Sequence, residues 1–336
     1  MNDPRYLQMQ HWLGTLPKAH QIDPSTARSA SADASFRRYF RVQAGDQTRI
    51  VMDAPAPQED TRPFIAVSKA LAATGVTVPH VYEADSDQGY LLLGDLGNTT
   101  YLDVLNESTA LTLYNDAISA LITFQVGGNT STLPAYDTAL LRRELDLYPD
   151  WYIARHKNVQ LDAKQASALN QTFEAIIANN LAQAKVFVHR DYHSRNLMLI
   201  ANGNPGILDF QDAVHGPITY DLVSLLRDAY VRWEEEQVID WTVRYWEKAR
   251  KAGLPVASDF SLFYRDFEWM GLQRHLKVLG IFARLNYRDG KSRYLNDMPL
   301  VLSYVQRVCE RYNDLAPLHH LIRQIEQTPS RTGLTF

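Results

Sequence analysis

Apolar positions recur mostly in alternation over the first third of the chain and at helical spacing over the rest. "RYLQMQHWLGTL" (5–16) opens with helical periodicity, and "SADASFRRYFRVQ" (31–43) runs from small residues into an alternating Phe/Tyr/Phe/Val segment that predicts a strand. "GDQ" is turn chemistry and "TRIVMDAP" (48–55) a second strand, so the two predict a hairpin. "RPFIAVSKALAAT" (62–74) has helical spacing and is stopped by Gly75. "VTVPHVYEAD" and "QGYLLLGDL" read as a further strand pair around "SDQG". Residues 1–95 therefore predict a small antiparallel-sheet lobe with a helix packed on it.

From "TYLDVLN" onward long helical segments take over: "TALTLYNDAISALITFQV", "LLRRELDLYPDWYIARH", "QASALNQTFEAIIANNLAQA" and several after residue 219. One short group of strands, "KVFVHRD" and "NLMLI…GILDF", interrupts them, and no repeat or low-complexity tract is visible. Residues 96–336 thus predict a larger, mostly helical lobe, giving an α+β, bilobal class with a cleft at the junction. With 336 residues and 46% apolar content the chain can bury a large core.

A formal charge of -4, with no long basic block, argues against nucleic acid or a polybasic membrane patch and for small-molecule partners. "MNDPRYLQMQHWLG" has no basic end followed by an apolar segment, and no apolar run approaches the roughly 18 residues of a spanning helix. Cys309 is the single cysteine, which excludes an internal disulfide and a Cys-rich zinc site. A cytoplasmic protein, monomeric and without a membrane partner, is the expectation.

"VFVHRDYHSRNLMLI" (186–200) places charged residues and an amide between apolar runs that read as buried strands. Asp191 follows "VFV", Asn196 precedes "LMLI" and Asp209 follows "GIL", which predicts that all three sit at strand ends on one side of the same small sheet. Two carboxylates and an amide oxygen make a hard-oxygen set suited to Mg²⁺, whose other positions go to water and phosphates. The spacing sharpens this, since "HRDYHSRN" satisfies the H-R-D-x-x-x-x-N pattern of kinase catalytic loops and "LDF" stands at the place of D-F-G. A chance match to the four fixed residues is roughly one in a thousand from average residue usage. In that chemistry Asp191 accepts the proton of the attacking hydroxyl, while Asn196 and Asp209 hold Mg²⁺ against the nucleotide phosphates. A metal-hydrolase arrangement of His189 and His193 is the competing reading, but Arg190 stands where H-E-x-x-H has its Glu.

Through these residues, together with "YLLLGDLG", "GILDFQDA" and "GPITYDLVSLLRD", the chain resembles the aminoglycoside phosphotransferase and choline kinase superfamily, small-molecule kinases with a protein-kinase-like bilobal fold. Gln211 replaces the Gly of D-F-G and no A-P-E follows, which disfavours a protein substrate. Within the superfamily, "DFQDAVHGPITYDLVSLLRDAY" and "LQRHLKVLGIFARL" look like its cell-wall-recycling branch of anomeric kinases, which phosphorylate N-acetylmuramate and N-acetylglucosamine at C1. That likeness implies ATP and Mg²⁺ as cofactors and a sugar 1-phosphate passed to a nucleotidyltransferase. A hemiacetal hydroxyl is more acidic than an ordinary alcohol, so a carboxylate base suffices.

The chain also departs from the kinase pattern. Met52 or Asp53 stands where kinases place the phosphate-binding Lys, and the helix predicted over 62–74 offers no Glu to pair with it. Arg38, Arg41, Arg49 or Lys69 are candidate replacements. "SADASFRR" lacks G-x-G, leaving Ser31, Ala34 and Ser35 as small residues whose amides could cradle phosphates. "LLLGDLG" resembles an inter-lobe hinge, which implies adenine pairing near Leu93, Asp95 and Leu96. Asp221 matches a position that braces the catalytic loop. For the sugar, aromatic faces and hydrogen-bonding side chains are expected, and Tyr148, Trp151, His193, Arg227, Asp228, Gln273, Arg274 and His275 are the candidates. A kinase for an aminoglycoside or choline-like alcohol, and a nucleotide-binding regulator without turnover, stand as alternatives.

Overall fold

The computed structural model describes residues 3–32 and 36–327, with no side-chain description at Ser31 and Ala32. Two compact units are present, one of Met1–Gly128 with Arg195–Ala213 and the other of Asn129–Ser194 with Val214–Phe336.

The first unit is built on a five-stranded antiparallel sheet. Helix α1 (Pro4–Thr15) begins at Asp3, whose carboxylate accepts the Arg5 N–H. Strands β1 (Ile22–Ala32), β2 (Arg38–Ala44) and β3 (Gln47–Asp53) follow, then helix α2 (Thr61–Ala72), β4 (Val81–Asp85) and β5 (Tyr90–Gly94), in the sheet order β1-β2-β3-β5-β4. The spacing of Met9, Trp12 and Leu13 puts them on one face of α1, where they pack against Val42, Val51, Tyr90 and Leu92. β1 is an addition to the four strands expected: "IDPSTARSASA" has no apolar alternation, and its pairing with β2 is interrupted by register shifts, as suits an edge strand. Helices α3 (Tyr101–Val104) and α4 (Ala110–Gly127) complete the unit together with a short hairpin, Leu197–Met198 paired with Gly206–Ile207. Isolated bridges Thr77–Gly206 and Thr100–Met198 fasten that hairpin, and Asn204 donates to the Tyr101 hydroxyl and the Asp116 carboxylate, both at 2.8 Å.

The second unit is helical. Helix α5 (Thr138–Leu147) runs into a π-helical segment, Tyr148–His156, where Pro149 removes one backbone donor. Then come α6 (Ala163–Ala182), strand β6 (Lys185–Val188), α7 (Tyr220–Leu226), α8 (Glu235–Lys251), α9 (Phe260–Tyr287), α10 (Met298–Arg311) and α11 (Ala316–Gln327). α9, 28 residues long, is the axis of the unit and touches α5, α6, α7, α8 and α10. Gly280 permits its closest approach: a Cβ there would lie 2.4 Å from the Leu147 carbonyl. β6 pairs with Val214–Pro217 and not with the hairpin of the first unit, which corrects the expectation of one small sheet. Arg190, at φ 79°, turns the chain out of β6 before it could continue into that pairing. No helix among the described residues is long and apolar enough to cross a membrane.

Candidate active site

The segment after β6 is held from beneath by carboxylates of its own unit. Asp221, at the start of α7, accepts the His189 N–H at 2.6 Å and the Arg190 N–H at 2.9 Å, the bracing that the resemblance implied. Asp228 accepts the Ser194 N–H at 3.0 Å and the Ser194 hydroxyl. The Arg190 side chain reaches back to Glu144 of α5, which also accepts Lys277 Nζ at 2.8 Å, Gln273 Nε2 at 2.9 Å and the Tyr136 hydroxyl. Asp191 is thus carried on a loop fixed at both ends.

Electrostatics keep the Asp191 carboxyl ionised. Burial alone would raise the Asp191 carboxyl, but the charges of Lys277, His193, Arg190 and Arg274 hold it below the usual carboxylate range. Burial likewise works against Glu144, yet Lys277 and Arg190 bring its carboxyl down to about 2. Asp221 goes the other way: burial pushes it up to about 7, against the pull of its two N–H donors. Lys277 and Glu144 were not legible from their sequence neighbourhoods, since they are brought together from α9 and α5.

Asn196 and Asp209 belong to the other unit, flanking the short hairpin. The Asn196 carbonyl accepts the Leu208 N–H at 2.9 Å, which brings the Asn196 amide nitrogen to 3.5 Å from Asp209 Oδ2. Asp209 adopts φ 61°, and its Oδ1 accepts from Gln211 Nε2 at 3.0 Å. Arg37 Nη2 lies 3.5 Å from the same oxygen, and Arg37 Nε lies 3.8 Å from Glu59. Arg37 and Glu59 were not among the candidates, although "FRR" offered the adjacent arginine.

The other first-unit candidates are placed as follows. Asp53 is buried and accepts from Arg5 at 2.7 Å and Arg38 at 2.5 Å, which places this carboxylate between two arginines, with Arg38 also bonded to Asp3; Met52, the other candidate for the kinase Lys position, is buried beside it in β3. Asp95 accepts from Arg41 at 2.5 Å and 2.9 Å and from the Thr48 hydroxyl at 2.6 Å. Leu93 lies within the ladder between β3 and β4, and Leu96 follows the sheet beside Gly206. Arg49 stacks on Tyr82 at 4.4 Å. Ser31 pairs with Tyr39 in β1, whereas Ala34 and Ser35 lie outside the described residues.

Of the sugar candidates, Tyr148 is buried and stacked on Tyr152 at 5.2 Å, with Trp151 half-buried on the same π-helical segment. Arg227 is buried between Glu235 at 2.9 Å and Glu268 at 3.3 Å, and its carbonyl is 2.9 Å from His275 Nε2. Burial lowers His275 to about 3, so its ring is neutral. His193 packs edge-on against Tyr230 at 5.6 Å, Asp228 serves Ser194, and Gln273 serves Glu144. Arg274 is buried, and among the described residues it makes no hydrogen bond or ion pair.

Residues 26–258 match the family model described as "Phosphotransferase enzyme family". The chain belongs to this family. Similar proteins include the N-acetylmuramate/N-acetylglucosamine kinase of Pseudomonas aeruginosa, 48% identical over 97% of this chain and 98% of the relative. The protein of the same description from Neisseria meningitidis is 47% identical over 99% of each chain, and that from Caulobacter vibrioides is 31% identical over 84% of this chain and 86% of the relative. Among solved structures, a choline/ethanolamine kinase family protein from Mesorhizobium loti superposes with a TM-score of 0.63 at 12% identity, covering 95% of this chain and 99% of that one. The ADP-bound aminoglycoside phosphotransferase APH(2'')-Ib gives 0.59 at 14% identity, over 90% and 98%. These likenesses bear out the α+β, protein-kinase-like fold expected of this phosphotransferase, and the enzyme class with it.

The donor set at the hairpin fits Mg²⁺. Asn196 and Asp209 supply hard oxygens once the amide turns its carbonyl toward the carboxylate, and no group of three His, Cys, Asp or Glu competes for a softer metal among the described residues. Two protein ligands suit an ion that keeps several positions for water and phosphate.

Proposed function

We propose that this phosphotransferase is an ATP-dependent kinase that phosphorylates N-acetylmuramate and N-acetylglucosamine at the C1 hydroxyl. The observation that carries this reading is the full-length similarity, at 47–48% identity, to relatives described as kinases of those two sugars. The residues of "HRDYHSRN" and "LDF" supply the chemistry such a reaction needs.

In this reading the C1 oxygen attacks the γ-phosphorus of ATP, the bond to the departing ADP breaks, and the hydroxyl proton passes to Asp191. Asp221, Asp228 and the Glu144 cluster keep Asp191 in place, and the surrounding cations keep it deprotonated until that moment. Asn196 and Asp209 would hold Mg²⁺, which neutralises phosphate charge when bound. Residues 1–95 take the nucleotide: adenine at the backbone of Leu93 to Leu96, phosphates at Ser31, Ala34 and Ser35 with Arg38 contributing charge. Residues 96–336 carry catalysis and the sugar, the latter on His193, Asp228, Gln273 and Arg274, with Tyr148, Trp151, Arg227 and His275 as further sugar-binding residues of the same unit. The protein acts as a cytoplasmic monomer, and its sugar 1-phosphate is the substrate of a nucleotidyltransferase.

The test is to incubate the protein with ATP, Mg²⁺ and a panel of N-acetyl sugars, aminoglycosides and choline, and to identify the phosphorylated product. Phosphate on the two N-acetyl sugars is expected. Consumption of only choline or aminoglycosides overturns the sugar assignment, and ATP binding without any product overturns the enzyme.

A further inference from the structure

Among the described residues, buried cations of the helical unit come with carboxylates, with one exception. Arg190 and Lys277 share Glu144, and Arg227 lies between Glu235 and Glu268. Arg274 is only 4% exposed and has no such partner among the described residues; its Nη1 is buried without any acceptor. A guanidinium carries five N–H donors, and taking it out of water without acceptors is costly unless an anion arrives to receive them.

The position of Arg274 narrows what that anion is. It sits on α9 between Gln273, bonded to Glu144, and His275, bonded to the Arg227 carbonyl. Glu144, to which the neighbouring Gln273 is bonded, also holds Arg190, the residue before Asp191, so this turn of α9 is tied to the segment that carries the proposed base. The two sugars named for the relatives differ in one group: N-acetylmuramate carries a lactyl ether on O3, ending in a carboxylate, and N-acetylglucosamine has a plain hydroxyl there. O3 is two ring carbons from C1, so a sugar whose C1 hydroxyl faces Asp191 carries its lactyl group close by. A planar guanidinium is matched to a carboxylate by two parallel hydrogen bonds.

We propose that Arg274 is the receptor for the lactyl carboxylate and so sets the preference for N-acetylmuramate over N-acetylglucosamine. This rests on the sugar-kinase reading above. N-acetylglucosamine has no carboxylate for the guanidinium to pair with, so the contact discriminates between the two sugars.

The experiment compares kcat/KM for the two sugars in the wild type, Arg274→Gln and Arg274→Lys, each checked for folding by thermal melting. The ratio of N-acetylmuramate to N-acetylglucosamine efficiency is expected to fall about 30-fold in Arg274→Gln, mostly through KM, and less in Arg274→Lys, which keeps the charge but loses the fork. An equal loss on both sugars places Arg274 on the transferred phosphoryl group or in the scaffold and overturns the proposal, as does no change on either. Independently of any variant, the wild type should discriminate by a similar factor against the carboxamide of N-acetylmuramate, and equal use of acid and amide overturns it. If the wild type phosphorylates neither sugar, the kinase reading fails by itself; calorimetric titration of the acid and the amide into wild type and variants then decides whether Arg274 binds the carboxylate.

Discussion

The segment carrying Asp191 and the hairpin carrying Asp209 are built to opposite specifications. Around Asp191 the N–H groups of residues 189, 190 and 194 are each tied to a carboxylate, and Arg190 is anchored to the buried Glu144 cluster. Around Asp209 the side chain is 32% exposed, and its bonds to Asn196 and Arg37 are stretched to 3.5 Å. Each segment keeps a non-glycine residue in the left-handed region, Arg190 in one and Asp209 in the other, at a backbone cost on the order of 1 kcal/mol that the flanking contacts offset. The contrast suits the two tasks proposed for them: a general base must hold one geometry and stay ionised until it takes its proton, whereas metal ligands must release protein partners when an ion and its phosphates arrive.

Substitutions that exchange these properties should separate the segments, and the largest effect is expected at Asp191. Asp191→Asn should lower kcat by roughly 10³-fold while leaving the melting temperature within a few degrees, because the braces act on its neighbours. Turnover near that of the wild type would remove Asp191 from the mechanism.

Glu144→Gln attacks the scaffold instead. It leaves Arg190 and Lys277 buried without their shared carboxylate and should cost about 3 kcal/mol of stability, read from denaturant unfolding. The sign with pH is fixed by the lowered Glu144 carboxyl: its stabilisation is full above about pH 4.5, where the unfolded chain is also ionised, and is lost as pH falls toward about 2. The variant should lack that acid-side decline; an identical decline would show that the cluster does not carry it.

At the hairpin the effects should be smaller and tunable. Asp209→Asn should raise the Mg²⁺ concentration for half-maximal activity about 30-fold, with activity recovering at high Mg²⁺ and stability unchanged. Arg37→Gln should move the same quantity the other way by a few-fold, since it removes a cation 3.5 Å from Asp209 Oδ1. If both variants instead lose stability as Glu144→Gln does, the hairpin is scaffold too and the contrast fails.

What could be read in advance follows the range of the interactions. "HRDYHSRN" and the later "LDF" carry their chemistry in local spacing, and the alternation of "YFRV" and "IVM" is a local signal for β2 and β3. The edge strand Ile22–Ala32 was missed because small and polar residues form it, held by pairing with β2 and by bonds from Tyr6 and Gln10 of α1, not by an apolar alternation of its own. The partner of "KVFV" was misassigned because turns at Arg190 and Asp209 separate strands that adjoin in sequence. The Glu144 cluster joins α5, α9 and the segment carrying Asp191, with Glu144 and Lys277 133 positions apart in the sequence, a pairing that no local pattern encodes. The arginine beside Asp209 is Arg37, while Arg38 is bonded to Asp53 on the neighbouring strand.

Phosphorus NMR of the product formed from ATP, Mg²⁺ and N-acetylmuramate tests the central claim most directly. A phosphate resonance coupled to the anomeric proton is expected, appearing at the rate of ADP release and lost with Asp191→Asn. Coupling to the C6 protons, or ADP release with inorganic phosphate as the sole new phosphorus signal, would contradict it.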